Sequence, residues 1–202
     1  MKKALIVAAG NTDGITIDEN YDMVIAADGG YDKALALGLK ADLFIGDMDS
    51  VKSEFFETET IKLQVEKDFT DTEAAIEKAI ELGFGYIDII GAIGSRFDHS
   101  MANACLLKKY AGTDVGIRIL DSHNEIFAVK GESIITGRKG ETLSLIPLDN
   151  TVSGVTLKGF YYPLENACIK IGTTLTVSNV ITEDKAKIHI EEGVVLAIIA
   201  RD

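Results

Sequence analysis

The sequence is short of basic residues, has few cysteines, and contains no long apolar run. Lysine and arginine number 20 against 32 aspartates and glutamates, which gives a net charge of −12. Such a surplus of negative charge disfavours nonspecific binding to nucleic acid or to an anionic membrane. No stretch approaches the ~18 apolar residues that a membrane-spanning helix needs. We therefore expect a soluble, cytoplasmic protein with no nucleic-acid or membrane partner.

Two cysteines occur, Cys105 and Cys168, and neither has a partner at the spacing of a metal or redox motif. Their apolar neighbours predict buried thiols in a reducing compartment. Two nucleotide-binding motifs are also missing. Without a Gly-x-x-x-x-Gly-Lys-Ser/Thr segment the chain is not a P-loop enzyme. Without Gly-x-Gly-x-x-Gly after the first strand, a dinucleotide oxidoreductase is disfavoured.

The first 130 residues alternate short apolar runs with helix-like segments, which predicts a mostly parallel sheet with helices on both faces. The predicted helices of this half end at Gly38, Gly83 and Gly112. The predicted strands are residues 4–9, 23–27, 43–45, 61–65, 86–90, 117–120 and 126–129.

From residue 131 the segments are short, often alternating, rich in Val, Ile and Thr, and separated by glycine and asparagine turns. Such a pattern is typical of an all-β sandwich or barrel. The predicted strands here are residues 142–147, 151–157, 175–177, 185–190 and 194–200. The fold class expected is therefore α/β followed by all-β, as one domain over residues 1–130 and a smaller one over residues 131–202.

Carboxylates cluster where predicted strands of the first half end. Asp47 and Asp49 follow one strand and lie two residues apart, so in extended chain they point to the same side. Asp68 and Asp71 follow the next strand. Ligands of parallel sheets bind at the carboxyl ends of the strands, and oxygen ligands suit Mg²⁺. The alternatives are an exposed turn at residues 46–50 and, for Asp71, a helix start.

A glycine-containing turn between a predicted strand and helix is the second candidate feature. Gly91 and Gly94 allow backbone N–H groups to surround a phosphate chain, and Arg96 would neutralise charge on a transferring group. His99 either orients Asp98, contacts a phosphate, or caps the helix. A further candidate ligand contact is Asp28 with Gly29 and Gly30.

Taken in order, these motifs resemble those of the thiamine pyrophosphokinase family. The family pattern includes Asp-Gly-Gly, Gly-Asp-x-Asp-Ser, Asp-x-Thr-Asp, and Gly-x-x-Gly-x-Arg-x-Asp-His followed by Asn. Here these stand at residues 28–30, 46–50, 68–71 and 91–99 with Asn103. The second half adds a Gly-x-x-Tyr-Pro-Leu turn at residues 159–164 and the pair Ser178 and Asn179. The resemblance spans nearly the whole chain.

The resemblance implies Mg²⁺-dependent transfer of diphosphate from ATP to the hydroxyl of thiamine, with release of AMP. It also implies a homodimer whose active site is shared between the two chains. Phosphoryl-type transfer depends mainly on positioning and charge neutralisation, so carboxylates, a metal and an arginine suffice.

The resemblance further implies roles for individual residues. Asp47, Asp49 and Asp71 would hold Mg²⁺, and Asp68 would support that shell or position the hydroxyl. The residues implied to contact or shape the ATP site are Asp28, Gly29, Gly91, Gly94, Arg96, Asp98, His99 and Asn103. Ser178 and Asn179 would face thiamine.

The absence of tryptophan is the one departure from the family pattern, because larger members place a tryptophan against the thiamine ring. Tyr161, Tyr162 and Phe160 are the candidate replacements. Two other functions use the same residues. One is a Mg²⁺-dependent phosphohydrolase, which leaves the appended β domain unexplained. The other is a noncatalytic thiamine or nucleotide sensor. An active site that had lost its catalytic function should also have lost some of the carboxylates that this chain retains.

Overall fold

The computed structural model describes residues 1–17, 19–48, 51, 58–64 and 66–201. Within these residues the chain forms fourteen strands and three helices. It divides into two compact units, the first formed by Met1–Ala104 and Asp114–Ser122 and the second by Cys105–Thr113 and His123–Asp202. In the part of the chain described, no helix has the length and apolar character that crossing a membrane requires.

The first unit contains a six-stranded parallel sheet in the order β6-β5-β1-β2-β3-β4. Strands β1 and β3 are almost wholly buried, as expected of parallel strands covered on both faces. The strands are β1 (Lys3–Val7), β2 (Met23–Ala27), β3 (Leu43–Gly46), β4 (Glu59–Lys62), β5 (Tyr86–Ile90) and β6 (Gly116–Leu120). The helices of the chain are α1 (Gly30–Ala36), α2 (Asp71–Glu81) and α3 (Phe97–Tyr110).

Helix α2 shows how the sequence fixes a helix start beside the candidate site. Thr70 is its N-cap, and the Thr70 hydroxyl accepts a 3.2 Å hydrogen bond from the backbone N–H of Glu73. The helix buries Ala75, Ile76 and Ala79 on one face. The cap therefore places residues 70–72 at a defined end of the helix, as the Thr-x-x-Glu spacing predicts.

The connection between β1 and β2 covers the sheet without a helix in its described residues. Ile15, Ile17 and Tyr21 from this connection pack on the core that includes Leu5 and Val7 of β1. The connection therefore takes the place that a crossover helix has in an ordinary βαβ unit.

An ion pair inside the sheet anchors that connection. Asp88 and Arg118 are directly opposite one another on β5 and β6, and Arg118 donates two 2.8 Å hydrogen bonds to the Asp88 carboxylate. The Tyr21 hydroxyl donates a third, also 2.8 Å, to Asp88 Oδ2. Burial, followed by the nearby Asp88 charge, raises the pKa of Tyr21 above its ordinary range.

The second unit is a sandwich of two antiparallel sheets, in the orders β12-β9-β14-β7 and β11-β10-β13-β8. One apolar core draws side chains from both sheets, including Leu145, Val155, Ile188 and Ala197. The strands are β7 (Asn124–Val129), β8 (Glu132–Thr136), β9 (Thr142–Pro147), β10 (Thr151–Lys158), β11 (Leu164–Lys170), β12 (Asn179–Val180), β13 (Lys185–His189) and β14 (Val195–Ala200). The fold class predicted from the sequence is confirmed.

Some predicted elements were wrong in detail. Residues 175–177 form a turn, because Leu175 and Val177 are exposed while Thr176 is buried and donates a 2.7 Å hydrogen bond to the Leu145 carbonyl. The alternation is real, but its apolar side faces outward. Strand β4 begins two residues earlier than predicted and ends three residues earlier, and β8, β11 and β12 were not predicted. Cys105 and Cys168 are exposed and not buried, so their apolar neighbours misled the prediction.

Candidate active site

A cleft of about 380 Å³ opens in the first unit. Its walls come from the segments that follow β1, β2 and β5 and from the first residues of α2 and α3. This is the edge of a parallel sheet where ligands bind. The lining residues predicted to act in function are Asp28, Asp71, Gly91, Gly94, Arg96, His99 and Asn103. Gly29 is the N-cap of α1, and Asp68 is exposed just before α2.

One wall of the cleft is two loops in backbone contact, residues 8–10 after β1 and residues 91–96 after β5. We call the second segment the glycine loop. Gly91 has φ +67°, and a Cβ there would lie 2.3 Å from the Ala8 carbonyl oxygen. The N–H of Gly10 donates a 2.7 Å hydrogen bond to the Gly91 carbonyl. A glycine is therefore required at position 91 both by conformation and by space.

Two buried polar side chains from α3 hold the glycine loop. The Asn103 amide donates a 2.9 Å hydrogen bond to the Ala92 carbonyl. The Ser100 hydroxyl accepts a 3.0 Å hydrogen bond from the Gly94 N–H and lies within hydrogen-bond distance of the Gly94 and Arg96 carbonyls. Asn103 was predicted at this wall. Ser100 was assigned no role from the sequence, although its position near the start of α3 could have indicated a contact with this loop.

Carboxylates line the opposite part of the cleft. Asp28 Oδ1 and Asp71 Oδ1 are both buried; Asp28 Oδ1 accepts no hydrogen bond from any described residue, whereas Asp71 Oδ1 has an ion-pair partner. Burial raises the pKa of the Asp71 carboxyl, the Lys67 ammonium opposes that rise, and the Asp28 and Asp47 charges add to it. The three carboxylates are therefore close enough to interact electrostatically.

Lys67 is the cation at this cluster, and sequence reasoning missed it. Its Nζ lies 3.1 Å from Asp71 Oδ1 and 3.7 Å from Asp47 Oδ2, distances that make ion pairs. Lys67 and Asp71 are four residues apart, so the sequence kept them near one another, although Lys67 precedes the N-cap of α2 and the pair does not lie on one helix. The contact with Asp47 had no such signal, because it depends on how two separate segments fold.

The cluster offers oxygen ligands of the kind that Mg²⁺ prefers, and one of those oxygens, Asp28 Oδ1, is buried without a hydrogen-bond donor among the described residues. In this respect the residues fit the metal. Across the residues that the structure describes, no three His, Cys, Asp or Glu side chains are grouped so as to hold a metal ion. Asp49, the second carboxylate of the predicted pair, lies outside those residues.

Arg96 and Asp98 form an exposed ion pair at the rim of the cleft. Arg96 Nη2 lies 2.6 Å from Asp98 Oδ2, and Arg96 Nε lies 3.2 Å from Asp98 Oδ1. The hydrogen bond from Arg96 is the main reason that the pKa of Asp98 falls to about 2. Both side chains are more than half exposed, so either can exchange its partner for a ligand.

The residues predicted to face thiamine lie in the second unit and differ in exposure. Ser178 is exposed with φ +58°. Asn179 is buried, and its Oδ1 accepts a 2.9 Å hydrogen bond from the Tyr162 N–H while its Nδ2 donates a 2.8 Å one to the Tyr162 carbonyl. Tyr161 and Tyr162 are exposed and edge-to-face at 4.8 Å between ring centroids, whereas Phe160 is buried in the core.

Comparison with known proteins relates both units to one family. Residues 16–119 match the family model described as thiamin pyrophosphokinase, catalytic domain. Residues 129–195 match the model described as thiamin pyrophosphokinase, vitamin B1 binding domain. The thiamine pyrophosphokinase of Bacillus subtilis is 29% identical to this chain over 215 residues, which cover 99% of this chain and 100% of that protein.

Solved structures agree along the whole chain. The crystal structure of thiamine pyrophosphokinase from Bacillus subtilis aligns with a TM-score of 0.88 at 30% identity and covers 100% of both chains. The structure of thiamin pyrophosphokinase from Geobacillus thermodenitrificans aligns with a TM-score of 0.87 at 29% identity, over 99% of this chain and 98% of that one. The chain belongs to the thiamin pyrophosphokinase family.

Proposed function

We propose that this chain transfers diphosphate from ATP to the hydroxyl group of thiamine and releases AMP, with Mg²⁺ as the metal. The observation that carries this proposal is the cleft of the first unit, which is lined by the backbone-built glycine loop and by partly buried carboxylates. A wall without bulky side chains lets a phosphate chain approach the backbone closely, and carboxylates suit the cation that accompanies it. The family of the chain supplies the acceptor.

In this reaction the thiamine hydroxyl oxygen forms a bond to the β-phosphorus of ATP. The bond from that phosphorus to the α–β bridging oxygen breaks, AMP leaves with the electron pair, and the hydroxyl proton is lost. Such transfer needs aligned groups and compensated charge, and no covalent intermediate with the protein. Mg²⁺, when bound, supplies neutralisation of the phosphate charge.

The proposed role of each first-unit residue follows from the chemistry of its side chain. Asp47, Asp49 and Asp71 would hold the metal, and Asp68, which is exposed before α2, would support that shell or position the hydroxyl. The glycine loop would surround phosphates. Arg96 would leave Asp98 for a phosphate oxygen, because a more concentrated anionic charge competes for the same guanidinium.

The remaining ATP contacts are proposed from position. Asp28 and His99 line the cleft, and Asn103 holds the glycine loop from behind. Asp98 would keep Arg96 oriented between turnovers. Gly29 would allow the chain to turn from Asp28 into α1.

Thiamine recognition is proposed for the second half, with residues 1–130 as the catalytic domain and residues 131–202 as the thiamine-binding domain. Exposed Ser178 is suited to direct contact, while Asn179 is suited to holding the turn that presents Tyr161 and Tyr162. These tyrosines are the proposed ring contacts in a chain without tryptophan. We further propose a cytoplasmic homodimer whose active site draws on both chains.

The test is a reaction of purified protein with ATP, MgCl₂ and thiamine, resolved by chromatography. We expect equal amounts of AMP and thiamine diphosphate, both abolished by EDTA. ADP with thiamine monophosphate would instead indicate a simple kinase. Phosphate release that does not need thiamine would support the phosphohydrolase. No turnover, with thiamine still raising the melting temperature, would support the sensor.

A matched pair of variants tests the metal ligands. Asp49→Asn is expected to lower turnover by orders of magnitude and leave the melting temperature nearly unchanged. Asp114→Asn removes the same charge from an exposed position away from the proposed site, and it should behave as wild type. Full activity of Asp49→Asn would contradict the metal assignment.

A further inference from the structure

Lys67 is an unusually enclosed lysine beside the carboxylates of the cleft. Its side chain is 11% exposed, and its ammonium lies 3.1 Å from Asp71 Oδ1, 3.7 Å from Asp47 Oδ2 and 3.3 Å from the Gln64 carbonyl oxygen. Lysine side chains are rarely buried unless they are paired. The ammonium therefore sits among three oxygens, in surroundings resembling those of a bound cation.

The charges around Lys67 explain why a cation is needed there. Asp28, Asp47 and Asp71 interact electrostatically, and part of this cluster is shielded from water. Like charges in such surroundings repel one another strongly unless a cation lies between them. Arg96, which lines the same cleft, is already paired with Asp98. Among the described residues, Lys67 is a cation whose contacts reach two of these three carboxylates.

We propose that Lys67 is a built-in counter-ion that disfavours a divalent metal at this cluster until ATP binds, and then moves its ammonium to a phosphate oxygen. The proposal rests on the proposed function and deepens it. A metal entering alone must displace the ammonium into water or tolerate a second positive charge beside it. When ATP is present, its phosphates offer the ammonium a new partner, so metal and nucleotide favour each other's binding.

This coupling is reciprocal, because two ligands that assist one another must do so equally in both directions. The proposal therefore makes a statement about the wild-type protein alone. Divalent metal should bind weakly without nucleotide and much more tightly with it. Phosphate oxygens ligate the metal in any case, so a purely structural role for Lys67 predicts that Lys67→Gln leaves this difference unchanged.

The experiment measures Mn²⁺ binding by electron paramagnetic resonance and calorimetry, with and without α,β-methylene-ATP, which cannot undergo the transfer. In wild type we expect Mn²⁺ to bind roughly tenfold or more tightly when the analogue is present. In Lys67→Gln, Mn²⁺ alone should bind roughly tenfold more tightly than in wild type, and the effect of the analogue should shrink. Lys67→Arg keeps the charge and should resemble wild type.

Lys40→Gln is the matched control, because it removes one positive charge from an exposed position beyond the far end of α1. It should leave Mn²⁺ binding unchanged. Equal affinity of wild type and Lys67→Gln for Mn²⁺ alone would overturn the proposal. If Lys67→Gln does not fold, wild type still decides, since equal Mn²⁺ affinity with and without the analogue would also overturn it.

The outcome also separates this inference from the proposed function. A wild-type protein that forms AMP and thiamine diphosphate but shows no coupling refutes only the role of Lys67. A wild-type protein that forms no AMP and binds no Mn²⁺ with the analogue refutes the proposed ATP site and the inference together.

Discussion

The Asn103 side-chain amide and the Ala92 carbonyl oxygen are joined by a 2.9 Å hydrogen bond that ties α3 to the glycine loop. Asn103 is 9% exposed, so its loss would leave a buried carbonyl without that donor, at a cost of about 1–3 kcal/mol. The bond thus couples the rigidity of a helix to a loop proposed to meet phosphates.

We predict that Asn103→Ala raises the KM for ATP several-fold and changes the KM for thiamine much less. Steady-state kinetics with each substrate varied, alongside thermal unfolding, checks this. Ile188→Val, which leaves a small cavity in the core of the second unit, serves as a control for reduced stability. It should leave the ratio of the two KM values unchanged. Equal changes in both KM values for Asn103→Ala would contradict a role specific to the phosphate wall.

A second prediction separates conformational strain from steric conflict at glycine. Gly91 and Gly83 both have positive φ, but a Cβ on Gly91 meets the Ala8 carbonyl at 2.3 Å while one on Gly83 meets nothing within 4 Å. Gly83→Ala should lower the free energy of unfolding by about 1 kcal/mol. Gly91→Ala should cost clearly more, roughly 3 kcal/mol or above, and should abolish ATP binding.

Urea unfolding of the two glycine variants provides the comparison. Equal destabilisation by the two variants would mean that the loops at residues 8–10 and 91–96 separate easily. The glycine loop would then not be a rigid wall of the cleft.

The third prediction concerns the ion pair inside the parallel sheet. Asp88→Asn keeps the size of the side chain but removes the charge that accepts both 2.8 Å hydrogen bonds of Arg118, which keeps its 3.3 Å contact with Glu19. We expect a loss of roughly 2–4 kcal/mol in the free energy of unfolding. Tyr21→Phe removes a single hydrogen bond and should cost about 1 kcal/mol. Chemical denaturation measures both. A loss below about 0.5 kcal/mol for Asp88→Asn would show that solvent and Glu19 suffice to compensate the charge of Arg118.

A pH-dependent prediction follows from Asp149. Its carboxylate accepts a 2.7 Å hydrogen bond from Lys108 and a 3.0 Å one from the Val194 N–H. The Lys108 hydrogen bond is the main reason that the pKa of Asp149 lies below its ordinary 3.8. A carboxyl with a lowered folded-state pKa stabilises the fold above its unfolded value, and that stability is lost as pH falls through the folded value.

Asp149→Asn should therefore be less stable than wild type at about pH 6, and the difference should shrink as pH falls below 3.8 and through the lowered folded-state pKa of Asp149, where the wild-type side chain also becomes neutral. Melting temperatures across this range test the prediction. If the difference in stability stays constant with pH, the introduced amide group causes it and not the loss of the negative charge.

The parts of the fold that the sequence predicted are those in which burial and pattern agree. The runs at β1 and β3 are apolar without interruption because both faces are covered. Residues 175–177 show the opposite case, since an alternating pattern does not say which side faces the core. Strand β11 alternates poorly and pairs through a bulged register with β10, so its sequence resembled a loop.

The site shows a similar division. Motif spacing was enough to place Asp71 and Gly91 in one cleft, because each follows directly from a strand end or a helix start. Contacts that join separate segments could not be predicted. The approach of Lys67 to Asp47 and the use of the Asn179 amide by Tyr162 are set by tertiary distances, which a linear pattern does not contain.

The contact between the loops at residues 8–10 and 91–96 has a consequence for redesign. Peptide groups, which every amino acid provides, form this wall through bonds such as Gly10 N–H to the Gly91 carbonyl. The chemical identity of the ligand contacts then rests on a few outward side chains at the rim, such as Ser95 and Arg96. Substitutions at those rim positions should therefore change the ligand contacts without altering the backbone framework that supports them.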